Sequence, residues 1–173
     1  MKNTLLVFVL MVWSLNSYAQ IIDIPDANFK NALVKGYSSD NNGDGLGDGY
    51  VDKNKDGEID TSEANQVIGL DISGERIDSI DGIEFFSNLK YLNCNENYIK
   101  NLNLFILPNL ERLECGLNRI IELDLRANQK LVYFEFNDNG TFHYLKNLKL
   151  ENNHNLKNLR LSESSVKSID FNE

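Results

Sequence analysis

Histidine is almost missing from this chain, and with it goes most of the chemistry that would make an enzyme. Among 173 residues only His143 and His154 are histidines, and neither cysteine has one nearby. No glycine-rich phosphate loop follows a strand-like run, and no set of histidines is available for catalytic zinc, so the sequence reads as non-enzymatic. Positive charge is scarce too. Seventeen Lys and Arg stand against 26 Asp and Glu, a formal charge of −9, which excludes nucleic acid and anionic membranes, whose phosphates demand a basic surface. Long apolar runs are lacking: the longest, Leu5 to Trp13, has nine residues, against the roughly 20 a helix needs to span a bilayer.

That short run takes its meaning from its place. Lys2 precedes it, and Ser17 and Ala19 before Gln20 satisfy the small-residue rule for secretory cleavage, so residues 1–19 are expected to be a signal peptide. Cleavage removes Lys2 and leaves 26 acidic against 16 basic side chains, a formal charge of −10. The product is expected to be secreted or on the cell surface, without membrane insertion after cleavage. With 42% hydrophobic residues it can bury one core.

From residue 67 the chain repeats. One copy reads Leu89, Leu92, Cys94, Asn97, Ile99, Leu102, Leu104; the next reads Leu110, Leu113, Cys115, Asn118, Ile120, Leu123, Leu125, displaced by 21 at every position. A later copy starts Leu131, Phe134, Phe136, Asn139 and resumes at Leu148 after an insertion of four residues around Phe142 and Tyr144. The outer copies are Val67, Leu70, Ile72, Ile77, Ile80, with Glu75 in place of the asparagine, and Leu156, Leu159, Leu161, Ser164, Val166, Ile169, Phe171. A period in the range of about 20 to 29 residues marks leucine-rich repeats. Each rung has one short strand whose inward residues cannot be buried alone, so neighbours must stack. The expected fold is an α/β repeat: a short leucine-rich-repeat solenoid of about five rungs over 67–173, a parallel sheet on its concave face, behind an N-terminal helical cap over 20–66. Asn97, Asn118 and Asn139 are expected to turn inward and bond the backbone of adjacent turns. Cys94 and Cys115 fall at equivalent inward positions on adjacent rungs; buried free thiols are the favoured reading, because parallel in-register side chains point the same way, and a disulfide is the alternative.

The cap region opens with Ile24-Pro25-Asp26-Ala27-Asn28-Phe29, read as the start of a helix burying Phe29 and Leu33. Its acidic end, Asp52 to Glu63, matches the EF-hand loop: Asp52, Asn54 and Asp56 at the first three ligand positions, Gly57 at the sharp turn, Glu58 through its carbonyl, Asp60 through water, and Glu63 with both oxygens. Structural calcium is the expected cofactor, a metal-free turn the alternative. Asp60 with Glu63 also resembles a capping box. The stretch Asp40 to Asp48 repeats the pattern's start but has Val51 where the final glutamate belongs, so it is either a weaker second site or a solvated loop.

Together, Ile24 to Lys30, Asp52 to Glu63, and the Leu-x-x-Leu-x-Cys-x-x-Asn rungs at Leu89 and Leu110 resemble secreted bacterial leucine-rich-repeat proteins similar to internalins. The resemblance implies an exported or surface protein that binds partners through its concave strand face, with calcium-type loops near the cap. The concave candidates are Tyr91, Asn93, Arg112, Glu114, Tyr133, Glu135 and Arg160; Tyr91, Arg112 and Tyr133 fall in one column, and Tyr and Arg are enriched at binding hot spots. The expected partner is a protein or glycan. The alternatives are a truncated or structural repeat without its own ligand, and a calcium-dependent docking module of the dockerin kind, which needs two complete loops. Leu161, Val166, Ile169 and Phe171 have no evident C-terminal cap, so self-association through that end is a further expectation.

Overall fold

The computed structural model describes residues 19–40, 47–137 and 145–162, together with the backbone of 168–170. The signal segment, the Asp40–Asp48 loop apart from its ends, Asn139 with the insertion around Phe142, His143 and Tyr144, and Ser164, Val166 and Phe171 fall outside these residues.

The chain opens with helix α1 (Ala27–Lys35). Ile24 and Pro25 precede the helix because Asp26 takes the N-cap, its Oδ1 accepting from the N–H groups of Asn28 and Phe29 at 2.8 and 3.0 Å. The buried face carries Phe29, Ala32 and Leu33. Asp26 also ties the cap to the first rung, for its Oδ2 accepts from Asp78 and Ser79 at 2.8 and 3.0 Å. Burial alone would raise this carboxyl's pKa, but its backbone donors hold it below the ordinary value. Strand β1 (Ser39–Asp40) then pairs antiparallel with β2 (Gly69–Asp71), closing the first edge of the concave sheet. Only glycine fits at residue 69, since a Cβ there would meet the Asp40 carbonyl oxygen at 2.2 Å. A single helical turn, α2 (Thr61–Ala64), leads into the repeats.

The repeats wind as strand, corner, return and turn. Parallel strands β3 (Tyr91–Asn93), β4 (Arg112–Glu114), β6 (Tyr133–Asn137) and β8 (Asn158–Ser162) continue from β2, with Leu70, Leu92, Leu113, Phe134 and Leu159 in register. The return side is extended rather than helical. Strands β5 (Glu122–Asp124), β7 (Asn147–Lys149) and β9 (Ser168–Asp170) form a second parallel sheet. The cause is visible in the residues: Glu122-Leu123-Asp124 alternates exposed, buried, exposed, the period of a strand. Among the described residues, helix within the repeats is limited to one 3-10 turn, Ile83–Phe85. The insertion falls between β6 and β7, so both sheets keep register while the rung lengthens: Leu123 pairs with Leu148, and Phe134 with Leu159.

Strands β2, β3 and β4 each end at a corner that bends the backbone into the left-handed region, at Gly74 (φ 73°), Glu96 (φ 58°) and Leu117 (φ 52°). A buried asparagine follows each of the latter two and secures it. Asn97 donates to the carbonyls of Ile72, Cys94 and Asn95 at 2.8, 3.1 and 3.1 Å and accepts from Ile77 N–H at 2.9 Å. Asn118 repeats the set one rung on, donating to Cys94, Cys115 and Gly116 at 2.8, 3.1 and 3.1 Å and accepting from Ile99 at 3.0 Å. The single amide thus joins two rungs.

A second asparagine ladder runs along the opposite side, and it has no counterpart in the sequence reading. Asn128 donates to the Leu104 and Leu107 carbonyls at 2.9 and 2.8 Å, and Asn153 to those of Leu125 and Asn128 at 3.0 and 2.8 Å. The signal was present, because Asn128 and Asn153 are 25 residues apart, the same offset that relates Leu131 to Leu156.

Both cysteines are free and fully buried. Burial pushes the Cys94 thiol up to about 12, and Cys115 also rises well above the ordinary range. The folded chain therefore holds both protons at pH values where unfolded thiols, with pKa near about 8.5, have lost theirs. This contribution to stability is complete below the unfolded value and declines as pH climbs toward the folded one, by up to about 1.4 kcal/mol per pH unit for each thiol. Denaturant midpoints measured from about pH 8 upward should fall less steeply in the Cys94→Ala/Cys115→Ala protein than in the parent. A thiol reagent at about pH 8 should label the cysteines only after unfolding.

Candidate functional site

The concave sheet places the outward residues in two columns. Tyr91, Arg112, Tyr133 and Asn158 stand in register across β3, β4, β6 and β8; Asn93, Glu114, Glu135 and Arg160 form the next column. Strand alternation makes this arrangement, since Leu92, Leu113 and Phe134 between them point into the core.

Five of the sequence candidates meet in one network. The Arg112 guanidinium lies over the Tyr133 ring, 4.4 Å from its centre, and pairs with Glu114 at 2.5 Å. Arg160 approaches the same ring at 5.5 Å and reaches Glu135 at 3.4 Å. The Tyr133 hydroxyl and the Asn137 amide both donate to Glu135. Asn95, two residues past β3, donates to Glu114 at 3.3 Å and accepts from the Gly116 N–H at 2.6 Å. Burial and the adjacent Glu135 raise the Tyr133 pKa, keeping its hydroxyl protonated. For Arg112, burial acts to lower the pKa, but Glu114 outweighs it and the guanidinium stays charged. Tyr91 and Asn93 occupy the strand alongside, in register with Arg112 and Glu114.

The result is a surface of aromatic and guanidinium planes. Each arginine is neutralised by a glutamate, so the face offers planar groups and hydrogen-bonding edges rather than a net charge. Such a surface suits recognition by contact area more than long-range steering.

The acidic cap loop is the second candidate. Asp52 and Glu63, its first and last positions, are 3% and 4% exposed, and neither forms an ion pair with a basic side chain among the described residues. Both face the loop's own backbone. Asp52 accepts from Lys55 and Gly57 at 2.6 and 3.1 Å, and Glu63 from Lys53, Asn54 and Asp60 at 2.8, 3.2 and 3.2 Å. Asp60 caps α2 and, with Glu63, forms the capping box; this N–H bonding, Glu63 first, lowers its pKa. Asn54 and Asp56 are exposed and bonded to each other, while Glu58 pairs with Lys30 at 2.6 Å. Ile59 is buried, and its carbonyl receives the Ile22 N–H at 2.8 Å, which anchors the loop to the N-terminal segment. Among the described residues no three carboxylate, imidazole or thiol groups gather around one point, and Asp52 and Glu63 are held by backbone donors. Asp52 Oδ1, Asp52 Oδ2 and Glu63 Oε2 each accept one N–H and retain a lone pair for a cation, whereas Glu63 Oε1 accepts two; the donor set is all hard oxygen.

Stacked strands, asparagine corners and inward leucines together define the chain as a leucine-rich-repeat solenoid. No family model matches it, and no curated protein does. Among solved structures it is similar to an internalin, InlF, of Listeria monocytogenes, at 25% identity and a TM-score of 0.60, covering 90% of this chain and 49% of that one. It is also similar to the functional domain of InlJ from the same organism, described as including a cysteine ladder, at 21% identity and a TM-score of 0.56, covering 88% of this chain and 36% of that one. The chain thus spans half or less of the length of the proteins it matches. Among the described residues no helix is long and apolar enough to cross a membrane.

Proposed function

We propose that the protein is an exported binding module that recognises a partner protein through the concave column of Tyr91, Arg112 and Tyr133, with Arg160 and the paired glutamates completing the surface. The observation that carries this reading is the Arg112–Tyr133–Arg160 stack, held by Glu114 and Glu135 on a rigid sheet. A prearranged aromatic and guanidinium cluster loses little conformational entropy on binding. The likeness to internalins supports a surface role. Capture experiments with the mature chain and cell-surface extracts test it: Tyr91→Ala/Arg112→Ala/Tyr133→Ala should weaken binding of a specific partner by about 1,000-fold, two hot-spot truncations of about 2 kcal/mol each. Equal retention by parent and variant would move recognition off this face.

We further propose that the cap loop takes a calcium ion in a structural role. Its support is the order of oxygen donors from Asp52 to Glu63 and the burial of two carboxylates without a basic partner. An uncompensated buried charge is costly, and a cation beside Asp52 and Glu63 offsets that cost.

A further inference from the structure

The turn after the last buried residue of each return segment has one equivalent residue per rung, exposed in three of the four rungs and half-buried at Glu151. Following Ile83, Leu104, Leu125 and Leu150, these residues are Glu84, Phe105, Arg126 and Glu151. Three rungs place a charge there, so the position needs no hydrophobic group for packing. Phe105 nevertheless stands in it, 73% exposed, the most exposed large apolar side chain among the described residues. Its backbone is fixed, because its N–H donates to Asn103 Oδ1 at 3.2 Å and the turn closes through Leu107 N–H to Leu104 at 3.0 Å.

Beside Phe105 lies an open groove of about 560 Å³, lined by none of the concave-column residues. Its polar lining consists mainly of amides: Asn101 and Asn103 from the same rung, Gln129 from the next, and Asn152 from the one after. All four are exposed. The charged groups at its edge neutralise each other, since Arg126 pairs with Asp124 at 2.6 Å and Glu151 at 3.2 Å, and Lys149 reaches Asp124 at 3.7 Å. The Arg126 side chain holds the Asp124 pKa down at about 2, so that pair stays ionised across the physiological range. Neither an anion nor a cation is favoured at such a site. An apolar ring plate surrounded by groups that both donate and accept is complementary to a ligand with one C–H face and a rim of hydroxyls.

We propose that this groove binds a neutral saccharide, with the sugar ring stacked on Phe105 and its hydroxyls bonded by Asn101, Asn103 and Gln129. It is a site separate from the concave face, and its failure would leave the protein-binding reading untouched. The test uses the mature chain with hexasaccharides of glucose, mannose, galactose and N-acetylglucosamine, followed by NMR of backbone and side-chain amides and by calorimetry. At least one hexasaccharide should shift the side-chain amide signals of Asn101, Asn103 and Gln129, and Phe105→Ala should weaken its binding about tenfold or more. The variant should melt with the parent, because equivalent rungs carry Glu or Arg at this position. Gln129→Ala should weaken binding without removing the stacking. The proposal is overturned if none of the four sugars binds, if affinity is unchanged by Phe105→Ala, or if the shifted signals belong to the concave strands.

Discussion

Asn118→Ala should lower the stability of the mature chain by about 3 kcal/mol and its melting temperature by about 6 to 12 °C. The substitution strips the buried Ile99 N–H of its acceptor and removes the amide donor from the Cys94, Cys115 and Gly116 carbonyls, all within the interior. Each orphaned buried group costs about 1 to 3 kcal/mol. The loss also releases the Leu117 corner, whose left-handed backbone has no glycine to ease it. Asn128→Leu is the contrasting case. The Leu104 and Leu107 carbonyls it serves already receive backbone N–H groups at 3.0 and 3.2 Å, its own Oδ1 is buried without a partner, and the rung before carries Leu107 at that position. Its cost should stay within about 1 kcal/mol. Denaturant unfolding of the two variants distinguishes them; equal losses would contradict the assignment of the first ladder as the joint between rungs.

Calcium at a concentration 100 times its dissociation constant should stabilise the chain by about 2.7 kcal/mol, a rise of about 5 to 10 °C in melting temperature relative to chelator. The expected origin is local. The loop from Asp52 to Glu63 holds little apolar surface apart from Ile59, and it carries two carboxylates that are buried without a basic partner. Glu63→Gln should abolish the calcium response, because it removes a charged final ligand, while the Asp60 half of the capping box remains. Identical melting in calcium and in chelator would contradict the metal assignment and leave the loop as a hydrogen-bonded turn, the form its Asp52 and Glu63 contacts already describe.

The repeat was legible because its code is periodic: a 21-residue displacement carries Leu92 to Leu113 and Cys94 to Cys115, and strand register follows from it. The concave columns could be read for the same reason, since alternation fixes which of Leu92 and Asn93 turns outward. The second sheet was less visible. A three-residue strand such as Glu122–Asp124 gives one alternation, too short to set apart from a loop until Leu148 is seen paired beside Leu123. The Glu114 and Glu135 contacts that lock Arg112, Tyr133 and Arg160 were likewise hidden. Sequence places these residues in columns, but rotamers decide whether an arginine extends to a partner or folds over its neighbour's ring. Phe105 shows the opposite situation, for its oddity lies in the sequence, but its meaning depends on the groove beside it.

The central claim, recognition through the concave face, is tested most directly by site-specific photo-crosslinking. A benzophenone side chain placed at Asn93 or Asn158 on the concave sheet, and at Glu122 or Lys149 on the return sheet, reports which surface a partner covers. The account predicts one common adduct from Asn93 and Asn158, competed by unlabelled parent and not by the Tyr91→Ala/Arg112→Ala/Tyr133→Ala variant, with none from Glu122 or Lys149. Adducts confined to the return-sheet positions would contradict it.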